Sequence, residues 1–240
     1  MAIDHSLARR SAATGEAIVR VYGWMPATVS FGRNQRALGI YTPALIAGHG
    51  LGVVRRPTGG RSILHDRELT YSVALPVPDP GLARLAYTGI TGLLLEALRA
   101  LGVVAERAGP RERARPPGPT PCFAEPAAGE VGWQGRKLAG SAQWTEGGAM
   151  LQHGSVLLDD DQGRLSALAT EALGDVPAPA TLRDALGRAP DLAEFAAAWT
   201  TAIRAATGRA PLQLDADAPE AQPQPPLLRL YHDPEWTWRR

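Results

Sequence analysis

MLQHGSVLL, residues 150–158, is nearly continuously apolar, the pattern of a strand covered on both faces. ELTYSVAL, residues 68–75, alternates instead and places Leu69, Tyr71, Val73 and Leu75 on one face. Both read as core strands. Between and after them lie two helical patterns. Residues 82–101 carry Leu82, Leu85, Ala86, Ile90, Leu93, Leu94, Ala97 and Leu98 at helical spacing, with Gly102 as a stop. Leu192, Phe195, Trp199 and Ile203 mark a second helix over residues 191–207, ended by Gly208. Strands mixed with amphipathic helices predict an α/β or α+β fold with a sheet, and exclude an all-helical bundle.

The chain has 240 residues, 45% hydrophobic and 20% charged, which suits one or at most two domains with a full core. Its 25 basic and 24 acidic residues leave a net charge of +1, so nothing in the balance recruits nucleic acid or an anionic membrane. No apolar run is long enough to span a bilayer, and MAIDHSLARR lacks the apolar centre of a secretory signal. A single cysteine, Cys122, cannot form an internal disulfide, so the cytoplasm is the expected compartment. Two stretches interrupt the order. AGPRERARPPGPTP, residues 108–121, reads as a basic, proline-rich surface loop leading into Cys122, its arginines serving either solvation or docking. Residues 210–226 read as a Pro-rich linker before LLRLYHDPEWTWRR.

Lys137 is the one lysine among the 25 Lys and Arg residues. Where arginine has otherwise displaced lysine, a compact and rotatable point charge suggests chemistry. It lies in GWQGRKLAGSAQ, residues 132–143, where Gly135 and Arg136 look like a tight turn that projects Lys137 from the start of a second strand. Gly140, Ser141 and Ala142 keep that strand thin enough to admit a ligand; the alternative is a plain hairpin with a solvent-facing lysine. A second signal is RRPTGGRSILHD, residues 55–66. Its glycine pair lets the backbone approach a ligand, and Arg55, Arg56 and Arg61 bring charge suited to an anionic or carbonyl-bearing group. The spacing matches neither a P-loop nor a dinucleotide fingerprint, and a glycine turn in a hairpin remains the other reading.

Taken in order, WMPATVSFGRNQ (24–35), RRPTGGRSILHDRELTYS (55–72), PCFAEPAAGEVGWQGRKLAGSAQ (121–143) and LQHGSVLL (151–158) resemble the lipoate-protein ligase A and lipoyl/octanoyl transferase superfamily. TGGR, HDRELTYS and the cysteine of PCF are most similar to its LipM-type octanoyltransferases, and YHDPEWTW resembles the closing motif of the catalytic domain. The resemblance implies a mixed-sheet α/β catalytic domain of the biotin/lipoate ligase type over residues 1–209, a linker over 210–226 and a closing segment over 227–240, without an accessory C-terminal domain. It implies transfer of an octanoyl group from acyl carrier protein to a lysine of a lipoyl domain, such as the glycine-cleavage H protein. Cys122 then matches the acyl-thioester nucleophile and Lys137 the cation beside it. Arg55, Thr58, Gly59, Gly60, Arg61, His65, Gly140, Ser141, Ala142, His153 and Gly154 would border the substrate, with His65 and His153 the candidates for proton handling or cavity lining. Such a transferase needs no cofactor and no metal. Three other readings stay open: an ATP-dependent lipoate ligase using Mg-ATP, an amidotransferase drawing octanoate from a lipoyl domain, and a non-catalytic acyl-binding protein.

Overall fold

The computed structural model describes residues 1–109, 129–170 and 177–239. In chain order the elements are α1 (Ala2–Thr14), β1 (Ile18–Tyr22), β2 (Thr28–Phe31), α2 (Pro43–Gly48), β3 (Gly52–Arg55), β4 (Ile63–His65), β5 (Glu68–Pro76), α3 (Ala83–Ala100), β6 (Glu106–Arg107), β7 (Val131–Trp133), β8 (Arg136–Glu146), β9 (Ala149–Leu157), α4 (Arg164–Leu168), α5 (Leu182–Leu186), α6 (Leu192–Thr207), α7 (Pro225–His232) and α8 (Pro234–Trp238). Six strands form one sheet in the order β1-β5-β9-β8-β7-β6, and three form a smaller one in the order β3-β2-β4. Every pairing in the large sheet is antiparallel. Among the strands described, β2 and β3 are the pair that runs parallel, so the mixed character expected from sequence resides in the small sheet.

The two faces of the large sheet differ in chemistry. Leu69, Tyr71 and Val73 of β5, Met150 and Val156 of β9, and Leu138 and Ala139 of β8 join Ile90, Leu94 and Leu98 of α3 and Phe195 and Trp199 of α6 in the principal core. This is the face that the alternation of residues 68–75 predicts. The opposite face begins apolar, where Ala74 and Leu151 receive Leu7 and Ala8 of α1, and becomes polar along the same strands. Thr70, Ser72, His153 and Ser155 lie there, all buried. The six side chains of MLQHGSV, polar and apolar, are buried together because α3 and α6 cover one side while α1 and the small sheet cover the other.

Both expected helices form. α6 opens on a capping box between Asp191 and Glu194 and closes at Gly208, and α3 ends before Gly102. The apolar stripe of residues 82–101 is shorter than its spacing suggests, however. Leu82 and Leu85 are exposed, while Ala83 and Ala86 beside them make the contacts of the first turn of α3 with the core. Residues 210–224 are largely exposed, and α7 and α8 then return to bury Leu227 and Tyr231 against Val54 of β3.

Gly154 of β9 lies between Tyr71 of β5 and Ser141 of β8 on the helical face. Tyr71 crosses over it to place its hydroxyl 2.6 Å from Ser141 Oγ. A Cβ at residue 154 would sit 2.6 Å from Tyr71 Cε1 and 2.7 Å from the Gly140 carbonyl oxygen, closer than packed atoms approach. Gly154→Ala is therefore expected to destabilise the fold by about 1–3 kcal/mol, read as a lower urea midpoint with an unchanged slope; wild-type stability would refute this packing.

Candidate active site

Lys137 is placed by a hairpin and a bulge. Gln134 and Gly135 have φ of 50° and 72°, the pair of positive values of a type I′ turn, so the turn sits one residue earlier than Gly135–Arg136 and Arg136 already belongs to β8. That turn pairs Gly132 with Lys137. The next pair is Val131 with Ala139, so β8 spends an extra residue, Leu138, against one step of β7. Val131, Leu138 and Ala139 all enter the core under the helices. Gly132 and Lys137 consequently face the other way, toward the side that carries Gly140, Ala142, Ser155 and His153. Lys137 is 3% exposed, and its Nζ lies 2.8 Å from Oε1 and 2.7 Å from Oε2 of Glu130. Glu130 shares this face because it alternates with Val131.

The RRPTGGR loop closes over the same face. Thr58 Oγ1 lies 2.6 Å from His153 Nε2, and His153 is paired with Ala142 on the neighbouring strand. Arg56 donates to the carbonyls of Gly59, at 3.1 Å, and Arg61, at 2.8 Å, and so curls the loop around its own guanidinium. Gly60 has φ of 96°, and its carbonyl comes so near Gly32 that a Cβ on residue 32 would lie 1.9 Å from it. His65 reaches Ser30 Oγ through Nε2 at 2.6 Å and Glu68 Oε1 through Nδ1 at 2.7 Å. Ser155 Oγ lies 3.4 Å from the same Nδ1 and connects His65 to the large sheet.

Thr58, His65, His153, Gly140, Ala142 and Lys137 are thus gathered on one side of the large sheet. Three other expected substrate contacts turn out differently. Arg55 is fully buried and donates to the carbonyls of Gly32, Arg33, Gln35, Trp236, Thr237 and Arg239, so it fastens the C-terminal segment rather than meeting a ligand. Burial, with Arg239 and Arg56 nearby, lowers its pKa to about 10, which leaves it a cation at neutral pH. Ser141 turns its hydroxyl to Tyr71 on the helical face, and Gly154 is the gap that Tyr71 crosses, so both can offer a ligand only main chain. Gln152 donates to the Tyr71 hydroxyl at 3.3 Å. Cys122 lies outside the described residues. Sequence reasoning passed over Glu130, whose signal was its place two residues before Gly132, the residue that a two-residue turn sets opposite Lys137.

A family model described as the lipoyl protein ligase A/B catalytic domain matches residues 1–204. The chain belongs to that family. An octanoyltransferase LipM of Geobacillus kaustophilus is 45% identical over 158 residues, 62% of this chain and 57% of that protein. The chain thus spans little more than half the length of that relative. The octanoyltransferase LipM of an Exiguobacterium strain is 35% identical over 100% of this chain and 93% of that protein. A bi-partite lipoate protein ligase from Thermoplasma acidophilum superposes with a TM-score of 0.72 at 21% identity, covering 99% of this chain and 89% of that one, which shows the common fold. For this lipoyl protein ligase A/B domain, no helix among the described residues is long and apolar enough to cross a membrane. Nor do the described residues hold a cluster of three His, Cys, Asp or Glu side chains fit for a metal ion.

Asp4 anchors the far end of the polar face. It accepts from Arg20 at 2.8 Å, Tyr22 at 2.7 Å and Ser72 at 3.0 Å, and lies 3.8 Å from His153 Nδ1. Burial opposes its ionisation, but the chain's amino group, His153 and Arg20 outweigh burial and hold it well below the usual carboxylate range. Burial likewise pushes His153 below the ordinary imidazole range, against the pull of Asp4. An unfolded histidine binds a proton below about pH 6.5, which the folded His153 refuses. Stability should therefore be full above that pH and decline as pH falls toward the folded value. Urea unfolding at pH 7 and pH 5.5 is expected to show this loss, and His153→Asn, which can still meet Thr58, is expected to reduce the slope; equal slopes would remove His153 as its source.

Proposed function

We propose that this chain is an octanoyltransferase that moves an octanoyl group from acyl carrier protein, through a thioester on Cys122, to a lysine of a lipoyl domain such as the glycine-cleavage H protein. The reading is supported chiefly by Lys137, which the bulge at Leu138 turns onto the face shared by Gly140, Ala142 and the Gly59–Gly60 loop, in a family member 35% identical to a LipM octanoyltransferase along its whole length. Its catalytic unit is residues 1–209 together with the closing segment 227–240, joined by the linker 210–226. It works in the cytoplasm, where a lone cysteine stays reduced.

A cysteine thiol with pKa about 8.5 is mostly protonated at neutral pH, and the Lys137 ammonium favours its thiolate. The thiolate attacks the carbonyl carbon of the octanoyl thioester; the bond to the carrier sulfur breaks, and the carrier leaves as a thiolate that takes up a proton. Lys137 then stands where negative charge grows on the carbonyl oxygen. Glu130 holds the ammonium in place until that charge appears, and a compact, rotatable ammonium can then turn a donor toward it. The acceptor lysine, as the free amine, attacks the acyl-cysteine, forms the amide and releases the Cys122 thiolate with loss of a proton. The Gly59–Gly60 loop, Thr58, His153, Gly140 and Ala142 border the acyl chain, and no cofactor enters.

Intact-mass analysis after mixing the chain with octanoyl-acyl carrier protein is expected to show one added octanoyl group that Cys122→Ser abolishes. No adduct on the wild-type chain, or an acyl-adenylate formed only with Mg-ATP and octanoate, would overturn the transferase. Lys137→Ala is expected to slow acyl-enzyme formation by about a hundredfold. It should also move thiol alkylation to higher pH; an unmoved alkylation profile would take Lys137 out of its electrostatic role.

A further inference from the structure

Beneath the Gly59–Gly60 loop lies a chain of buried polar groups that the proposed transfer does not use. Arg56 Nη1 donates to Ser30 Oγ at 2.5 Å and to the Ser30 carbonyl at 3.0 Å. An oxygen that accepts from a guanidinium must send its own proton elsewhere, and Ser30 Oγ has His65 Nε2 at 2.6 Å. Nε2 is then the acceptor nitrogen, so the ring proton sits on Nδ1, where Glu68 Oε1 waits at 2.7 Å. From the other side, Trp24 Nε1 donates to Thr70 Oγ1 at 2.8 Å, and Thr70 passes its proton to the same Glu68 oxygen. Trp24 also stacks on the His65 ring, with centroids 4.3 Å apart and planes 19° from parallel.

The bonds run one way from the Arg56 cation through Ser30 and His65 to the Glu68 anion, and the Trp24–Thr70 branch ends on the same carboxylate. Ser30, Arg56, His65 and Glu68 are each at most 4% exposed, so no solvent competes for any of them. The acid–imidazole–hydroxyl spacing resembles that of a nucleophilic triad, but Ser30 is fully buried and already accepts from Arg56, so its hydroxyl is not an attacking group. What the chain can do is orient Arg56, and Arg56 determines where the Gly59 and Arg61 carbonyls stand.

We propose that Glu68, His65 and Ser30 are positioning residues for acyl transfer, forming a directed hydrogen-bond relay that fixes Arg56 and, through it, the Gly59–Gly60 loop at the acyl site. The inference rests on the octanoyltransferase reading for the identity of the site and on the hydrogen-bond geometry for the relay itself. It gives His65 a place behind the loop rather than in proton transfer to substrate.

Nitrogen-15 shifts of the full chain at pH 7 decide the relay without any substitution. His65 protonated on Nδ1 and bare on Nε2 is the expected result, and the reverse tautomer or a doubly protonated ring would overturn it. Ser30→Ala cuts the relay at its middle while removing one buried oxygen. In that variant hydrogen exchange across residues 56–62 is expected to accelerate, and the rate of acyl-enzyme formation to fall about tenfold with KM for the octanoyl carrier protein within about twofold, the cost of one charge-assisted hydrogen bond. Ser30→Thr, which restores the hydroxyl, should recover most of that rate. A wild-type rate in Ser30→Ala, or a fall in KM and rate that Ser30→Thr does not relieve, would reduce the relay to packing. Were the wild-type chain to take no octanoyl mass, the transferase reading would fail, and the tautomer and the exchange data would still judge the relay.

Discussion

One extra residue in one strand governs where the chemistry of this domain can sit. Side chains alternate along a strand with a period of two, so the face a residue occupies is a matter of parity alone. Leu138 is the added residue between the pairs Gly132–Lys137 and Val131–Ala139. Were residues 137–139 to alternate regularly, with no bulge at Leu138, the Lys137 ammonium would share the face of Ala139 and Val156 and enter the core beneath α3 and α6, where an unpaired charge is very costly. With it, the apolar residues on both sides of the bulge stay under the helices, and the cation emerges on the polar face, bonded at both carboxylate oxygens to Glu130. Fold stability and site geometry are therefore satisfied by the same irregularity.

That polar face follows a consistent rule of charge. Asp4 is matched by Arg20, Glu68 by Arg56 through the Ser30–His65 relay, and Glu130 by Lys137. Each anion lies close to its own cation or is tied to it by hydrogen bonds, which is how buried charge is tolerated between two sheets. Hydroxyl groups of Ser30, Thr58, Thr70, Ser72 and Ser155 connect the pairs, so the small sheet is held over the large one by directional bonds as well as by apolar contacts such as Ile63 with Leu157. Directional bonds fix register in a way that apolar contacts do not, so the lysine and the glycine loop are held in a fixed relation on the polar face.

The parts of this arrangement that could be read in the sequence are those governed by local periodicity. Residues 68–75 and 150–158 announced their strands, and residues 191–207 their helix, because alternation and helical spacing act within one element. The parity of Lys137 could not be read that way, since it depends on pairing between strands and on a bulge that no residue type at 138 announces. Arg55 and Arg56 make the same point: adjacent and identical, they read together as charge for a ligand, yet one is enclosed by main-chain carbonyls of the C-terminal segment and the other by those of the glycine loop. Leu82 and Leu85 misled for the opposite reason: they belong to the same apolar run, but the small residues Ala83 and Ala86 beside them are the ones that meet the core. Apart from Glu68, three residues beyond His65, the polar partners of His65 and His153 were invisible because they come from β2, β9, α1 and the glycine loop, each distant in sequence from the histidine it meets.

The divided use of the two arginines also links the C-terminal segment to the glycine loop. Arg55 binds the carbonyls of Trp236 and Thr237 on one side and of Gly32 on the other, while the indole Nε1 of Trp236 donates back to the Arg55 carbonyl at 3.1 Å. Gly32 is the residue on which the Gly60 carbonyl rests, without room for a Cβ between them. The position of Gly60 is thereby fixed from two directions, by Arg56 from beneath through Gly59 and Arg61, and by Arg55 from the side through Gly32. A segment about 180 residues away in sequence is in this way part of the scaffold of the loop, because a buried guanidinium carries enough donors to bind several chain segments at once, and loses that capacity if shortened to a single ammonium.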